Sequence, residues 1–295
     1  MILSWSTENP HWMMEANTQY PEKVNVWAGI INSQIIGPYF FDGTLTGARY
    51  LDFLQNFLAL LGSKSGSTEE WWCGGSLISE RYILTAAHCL IHLEFGVVKH
   101  VRLGMMNLSD TNHMQEIVVS DVIPHPQYTR QSYHDIGLLR LERDVELNTY
   151  VRPACLQTQK HIPTTRAIVS GWGKLKFLGK PSKDLLKVVL DFFSAEKCNA
   201  TYTGSIKTPG SVLKTGIVED LMICAGSHKM EEDTCQGDSG GPLQGYHEET
   251  DDTKCMYDII GITSAGKHCG LVANRPGIYT RVSAYIKWIE DTVWP

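Results

Sequence analysis

Hydrophobic and polar positions are arranged in two different ways along the 295 residues. In the first part, apolar runs at 24–31 and 35–41 are separated by Asn32, Ser33 and Gln34, which predicts a hairpin. A helical spacing follows over 50–61, with Thr46 in reach as a cap. Residues 62–67, Gly-Ser-Lys-Ser-Gly-Ser, read as a flexible junction, so a small α/β fragment is predicted over 1–62 and a second domain over 63–295.

After Trp71 the pattern changes to short apolar runs between polar turns, at 75–78, 82–85, 101–103, 117–123, 136–141, 167–170, 186–190, 259–264 and 277–282. Regular short strands of this kind predict an all-β barrel or sandwich. Over 283–293 the spacing becomes helical, with Tyr285, Ile286, Ile289 and Val293 on one face, and predicts a docked C-terminal helix.

Composition narrows the possible functions. Hydrophobic residues are 43% and charged residues 20% of the chain, as in globular proteins. A net charge of -6 gives no electrostatic case for nucleic acid. No apolar run approaches the ~20 residues that cross a bilayer; the most apolar stretch, 51–61, contains Asp52, Gln55 and Asn56. All eight cysteines lie after residue 72, which favours disulfides and an oxidising compartment. Against this, Ser4, Ser6, Thr7, Glu8 and Asn9 stand where a secretory leader carries basic and then apolar residues, so no signal peptide is read.

One set of residues carries chemistry. Ser239 lies in Gly237-Asp238-Ser239-Gly240-Gly241-Pro242, where glycines permit a tight turn that exposes the hydroxyl and aims the Gly237 and Ser239 N–H groups at one point, an oxyanion hole. His88, at the end of the run 82–85, suits a general base, and Asp135, opening the run 136–141, suits the acid that orients it. The remaining histidines, among them His113, His125 and His161, lack metal-ligand spacing, and Trp5, Trp12 and Trp27 read as core residues. No metal and no other cofactor is expected.

The stretches 72–90, 134–141, 169–173, 233–243 and 261–282 resemble the chymotrypsin family of serine proteases, in the order His, Asp, Ser, and within it the insect Snake-like clip-domain branch. The resemblance implies two six-stranded antiparallel β-barrels followed by the C-terminal helix. It implies cleavage after Arg or Lys, with Asp233 at the floor of the primary pocket and Ser264, Gly266 and Gly277 along its wall. Ala265 departs from the family, which carries a tryptophan there. Three disulfides follow, Cys73 with Cys89, Cys198 with Cys224 and Cys235 with Cys269; Cys155 is then free or bonded to Cys255. Met105 and Met106 open the loop in which some relatives bind calcium, so no calcium site is expected.

The family is activated by cleavage before an Ile-Val-Gly-Gly-like tetrapeptide, whose new ammonium pairs with the acid preceding the nucleophile, here Asp238. No basic residue followed by such a tetrapeptide occurs in residues 25–72, so the first barrel is expected to lack its N-terminal strand and activity to be weak or absent. The segment 5–61 resembles a Tc1/mariner transposase through Glu8-Asn9-Pro10-His11-Trp12 and the stretches 24–31 and 36–43. It falls between that family's metal-binding carboxylates, and Asp42 and Asp52 are assigned no such role.

The leading expectation is a serine endopeptidase, with protein substrates and serpin-type inhibitors as partners and no membrane or nucleic acid. Two others stand beside it: an impaired protease homologue that acts by binding, and a DNA-binding remnant of a transposase. The family resemblance implies an extracellular protein; the absence of a recognisable leader sets retention inside the cell beside it as the alternative expectation. Only on the secretory route would the sequons Asn107-Leu108-Ser109 and Asn199-Ala200-Thr201 receive sugar.

Overall fold

The computed structural model describes residues 24–31, 34–42, 57–65, 68–174, 179–206, 208, 211–228, 237–246, 257–266 and 275–295. The chain forms two compact units, Met1–Tyr50 and Leu51–Pro295. What is described of the first is an antiparallel pair, β1 (Val24–Ile31) and β2 (Gln34–Asp42), with a register shift between Trp27 and Gly29. This is the hairpin expected from its two apolar runs.

The second unit begins with a correction. Of the helix expected over 50–61 and the junction expected over 62–67, residues 50–56, 66 and 67 lie outside the described residues; Leu58–Ser65 instead form a strand, β3, between β4 (Thr68–Ser79) and β8 (His100–Leu103). A continuous apolar run such as Leu58-Ala59-Leu60-Leu61 fits a buried strand as well as a buried helix. Here pairing on both edges satisfies its backbone, and Leu58 to Leu61 are all buried.

The first barrel therefore has all six strands, which corrects the expectation that it lacks its N-terminal strand. Its other strands are β5 (Tyr82–Thr85), β8 (His100–Leu103), β9 (Gln115–Pro124) and β10 (Gly137–Leu141), closed in the order β10-β5-β4-β3-β8-β9. A two-residue pair, β6 (Ile91–His92) and β7 (Gly96–Val97), stands outside it. Alternation in His100-Val101-Arg102-Leu103 buries Val101 and Leu103 inside and leaves Arg102 to pair with Glu116 at 2.8 Å and Glu69 at 2.8 Å.

A second sheet comprises β11 (Cys155–Leu156), β12 (Arg166–Gly171), β13 (Leu186–Phe193), β14 (Met222–Gly226), β15 (Pro242–Tyr246), β16 (Tyr257–Ala265) and β17 (Gly277–Arg281). Pairing of β16 with β17 closes six of these strands into a ring, and β11 is added in parallel to β16. Ala167, Val169, Leu190, Ile223, Ala225, Leu243, Ile260 and Tyr279 fill the interior.

Among the described residues two helices complete the unit. The first, α1 (Ala195–Ile206), was not expected; Cys198 bonds it to Cys224 in β14, and Tyr202 Oη donates to Pro276 O at 2.8 Å. The second, α2 (Ile286–Val293), follows a 3-10 turn at Val282–Ala284 and buries Ile289 and Val293 beside Tyr285. Among the described residues no helix is long and apolar enough to cross a membrane.

Candidate active site

His88 sits in a 3-10 turn, Ala87–Leu90, at the end of β5. The disulfide of Cys73 with Cys89 pins that turn to β4, and Trp72 Nε1 donates to Cys89 O at 2.9 Å. A ligand atom from each of Cys73, His88 and Cys89 lies within 4.8 Å of the others, but the two sulfurs are spent on each other and offer a metal no thiolate.

Asp135 is brought to His88 by the turn that opens β10. Its Oδ1 accepts the His88 backbone N–H at 2.9 Å and its Oδ2 accepts from Nδ1 at 2.7 Å. The carboxylate is 4% exposed and the imidazole 33%, so the pair is shielded behind and open in front. Burial works to lower the His88 pKa, but the Asp135 charge and hydrogen bond outweigh it and hold the value above the ordinary range.

Further groups fix the acid. Ser264 Oγ donates to Asp135 Oδ2 at 2.5 Å, and Thr280 Oγ1 donates to the Asp135 carbonyl at 2.8 Å. Ser264 reaches it because the β16–β17 register shifts between Thr263 and Ala265, a bulge that re-aims one side chain. His134, just before the acid, has φ 53, and its ring meets the Tyr285 hydroxyl at 3.1 Å. Sequence reasoning gave Ser264 to the pocket wall and assigned Thr280, His134 and Tyr285 nothing; no motif marks a hydroxyl aimed across the space between two strands.

The Ser239 turn packs directly on the histidine side. Gly74 N–H donates to Ser239 O at 2.8 Å, and Gly240 N–H donates to Thr263 O at 2.8 Å. Gly237 and Gly240 have φ 104 and 77, the left-handed region that favours glycine. A Cβ on Gly240 would also lie 3.0 Å from Cys89 Sγ. Among the described residues no hydrogen bond links His88 to Ser239, as is common in an unliganded site.

Asp238 turns away from this cleft. Its Oδ1 accepts the Gly173 N–H at 2.9 Å, and a Cβ on Gly171 or Gly173 would overlap its carboxylate. Of the expected pocket residues, Ser264 and Gly277 are buried on neighbouring strands β16 and β17, and Gly266 follows exposed. Asp233, Cys235, Cys255 and Cys269 lie outside the described residues. Cys155 is disulfide-bonded, which removes the free-thiol alternative.

Comparison with known proteins agrees with this architecture. Residues 54–289 match the family described as Trypsin. Serine protease Hayan of Drosophila melanogaster is 37% identical over 85% of this chain and 39% of its own length. Serine protease snk of the same species is 39% identical over 79% of this chain and 53% of its own, so the chain spans about half or less of these relatives. The solved structure of mouse neuropsin, a serine protease, superposes with a TM-score of 0.65 at 33% identity, covering 82% of this chain and 96% of that one. The chain belongs to the trypsin family of serine proteases.

Proposed function

We propose that the chain is a serine endopeptidase that hydrolyses peptide bonds after Arg or Lys through His88, Asp135 and Ser239. The His88–Asp135 pair carries this reading: the His88 backbone N–H fixes the carboxylate and the carboxylate holds Nδ1, which leaves Nε2 as the atom that takes a proton. Ser239 Oγ attacks the substrate carbonyl while Nε2 accepts its proton. The Gly237 and Ser239 N–H groups stabilise the oxyanion, and Nε2 returns the proton to the leaving amine. Water then hydrolyses the acyl-enzyme by the same route. Asp233 would pair with the substrate's basic side chain.

Activity of this product is low in this reading, because residues 25–72 hold no basic residue followed by the activating tetrapeptide. In this reading the family's activating ammonium does not reach Asp238, whose Oδ1 accepts the Gly173 N–H, and the oxyanion donors go without that anchor. The same observation favours a second reading, a protease homologue that binds targets without cutting them. The domain fits an extracellular setting with protein substrates and serpin-type inhibitors, and its disulfides suit an oxidising compartment.

Assay of the oxidised chain on an Arg-amide substrate tests the proposal. Slow hydrolysis abolished by Ser239→Ala supports it. No preference for Arg or Lys over neutral residues overturns the specificity, and turnover at ordinary trypsin-like rates overturns the account of Asp238.

A further inference from the structure

The two sequons have the same chemistry in sequence and opposite settings in the fold. At the first, Asn107 Oδ1 accepts the Ser109 N–H at 2.7 Å and Asn107 O accepts the Asp110 N–H at 3.0 Å, so the sequon is a tight turn. This is an Asx turn, in which the Asn107 side chain caps the Ser109 backbone. Asn107 is half-buried and Ser109 exposed, in the connection from β8 to β9. Asn107 Nδ2 donates one hydrogen to Asp184 Oδ1 at 2.6 Å, and an amide nitrogen carries two.

At the second sequon the amide oxygen and the hydroxyl are both committed within the fold. Asn199 lies inside α1, directly after the buried Cys198 that is bonded to Cys224. Its Oδ1 accepts the Ile217 N–H at 2.8 Å and anchors the following loop. The sequon hydroxyl, Thr201 Oγ1, donates back to Lys197 O at 3.1 Å within the helix. Transfer there competes with forming the helix and closing the disulfide.

We propose that Asn107 is an N-glycosylation site and that Asn199 is not. The donor is a polyprenyl-diphosphate-linked oligosaccharide. Asn107 Nδ2 forms a bond to the anomeric carbon of the first sugar, the bond from that carbon to the diphosphate oxygen breaks, and the diphosphate leaves with the electron pair. The amide gives up one proton to base and keeps the other for Asp184. This inference rests on the secretory setting of the proposed function, and not on whether the domain cuts peptides.

The test expresses the full chain behind a cleavable leader in insect cells and reads glycan occupancy in lysate and medium together, by peptide-N-glycosidase shift and peptide mass. A single-glycan shift is expected, carried by the Asn107 peptide. It is lost in Asn107→Gln and in Ser109→Ala, and kept in Asn199→Gln. Ser109→Ala retains the backbone N–H that makes the turn, so its loss of glycan does not reflect misfolding. Occupancy of Asn199, or a leader-cleaved chain bare at Asn107, overturns the proposal. Hydrolysis of the Arg-amide substrate is measured separately and leaves this result unaffected.

Discussion

Ser264 Oγ and His88 Nδ1 meet on a single oxygen, Asp135 Oδ2, at 2.5 Å and 2.7 Å. A nearly buried carboxylate is thereby supplied with donors from both barrels, β16 on one side and the turn after β5 on the other. Removing one donor leaves the acid less well solvated and freer to turn. A hydrogen bond to a charged group contributes about 1.5–3 kcal/mol, so Ser264→Ala is expected to lower kcat/KM by roughly 10- to 100-fold with the fold intact. An unchanged kcat/KM in a folded variant would show that this bond does not position the acid.

The His88 pKa sets a pH dependence. Its folded value is raised above the ordinary 6.5 by Asp135, against the opposing effect of burial. The charged pair stabilises the fold fully below about pH 6.5, and that contribution is lost as pH rises through the raised folded value. Hydrolysis needs the neutral imidazole, so kcat/KM rises with pH over the same interval, with a midpoint above 6.5. Asp135→Asn moves the midpoint down and lowers kcat by on the order of 10⁴. A midpoint at or below 6.5 in the unsubstituted chain contradicts this.

The pairing of His88 with Asp135 was more legible than the scaffold that supports it. His88, Asp135 and Ser239 each lie in a turn beside a strand, where short motifs mark them, and the C-terminal helix announced itself through Tyr285, Ile289 and Val293. By contrast, the first half of β3, Leu58 to Leu61, suggests a helix because four consecutive apolar residues have no period of their own, and the polar second half suggests a junction. The helix α1 was missed because only Cys198 and Tyr202 are buried, which leaves no apolar stripe to see. In β15, Pro242, Gln244 and Gly245 hide a core strand, and the Ser264–Asp135 bond depends on a bulge that local sequence does not reveal.

Behind the acid, His125 and His134 stack with centroids 5.3 Å apart, edged by Tyr285 and Trp288. Burial lowers both values below 6.5, with the neighbouring His134 adding to the effect at His125. A depressed histidine is neutral in the fold, so stability is full above about pH 6.5 and is lost as pH falls, because the unfolded chain binds the proton first. Chemical denaturation at pH 5 and pH 8 is expected to show that loss, and His125→Gln to reduce it. An equal loss in both proteins would place the acid sensitivity elsewhere.

The Cys198–Cys224 disulfide closes a segment of sequence separation 26 and holds α1 to β14. By loop-closure entropy it contributes about 3.5 kcal/mol. Replacing both cysteines with serine is expected to lower the denaturant midpoint accordingly while leaving the His88–Asp135 pair in place. A midpoint that does not move would mean that Tyr202, Leu213 and Ile217 hold the helix alone.

Labelling with an arginine-like phosphonate, followed by mass spectrometry, tests the central claim most directly. The account predicts a slow, single adduct on Ser239 that is abolished by Ser239→Ala and strongly slowed by His88→Ala. Absence of any adduct on the folded, oxidised chain, or an adduct on Ser239 indifferent to His88→Ala, would contradict it.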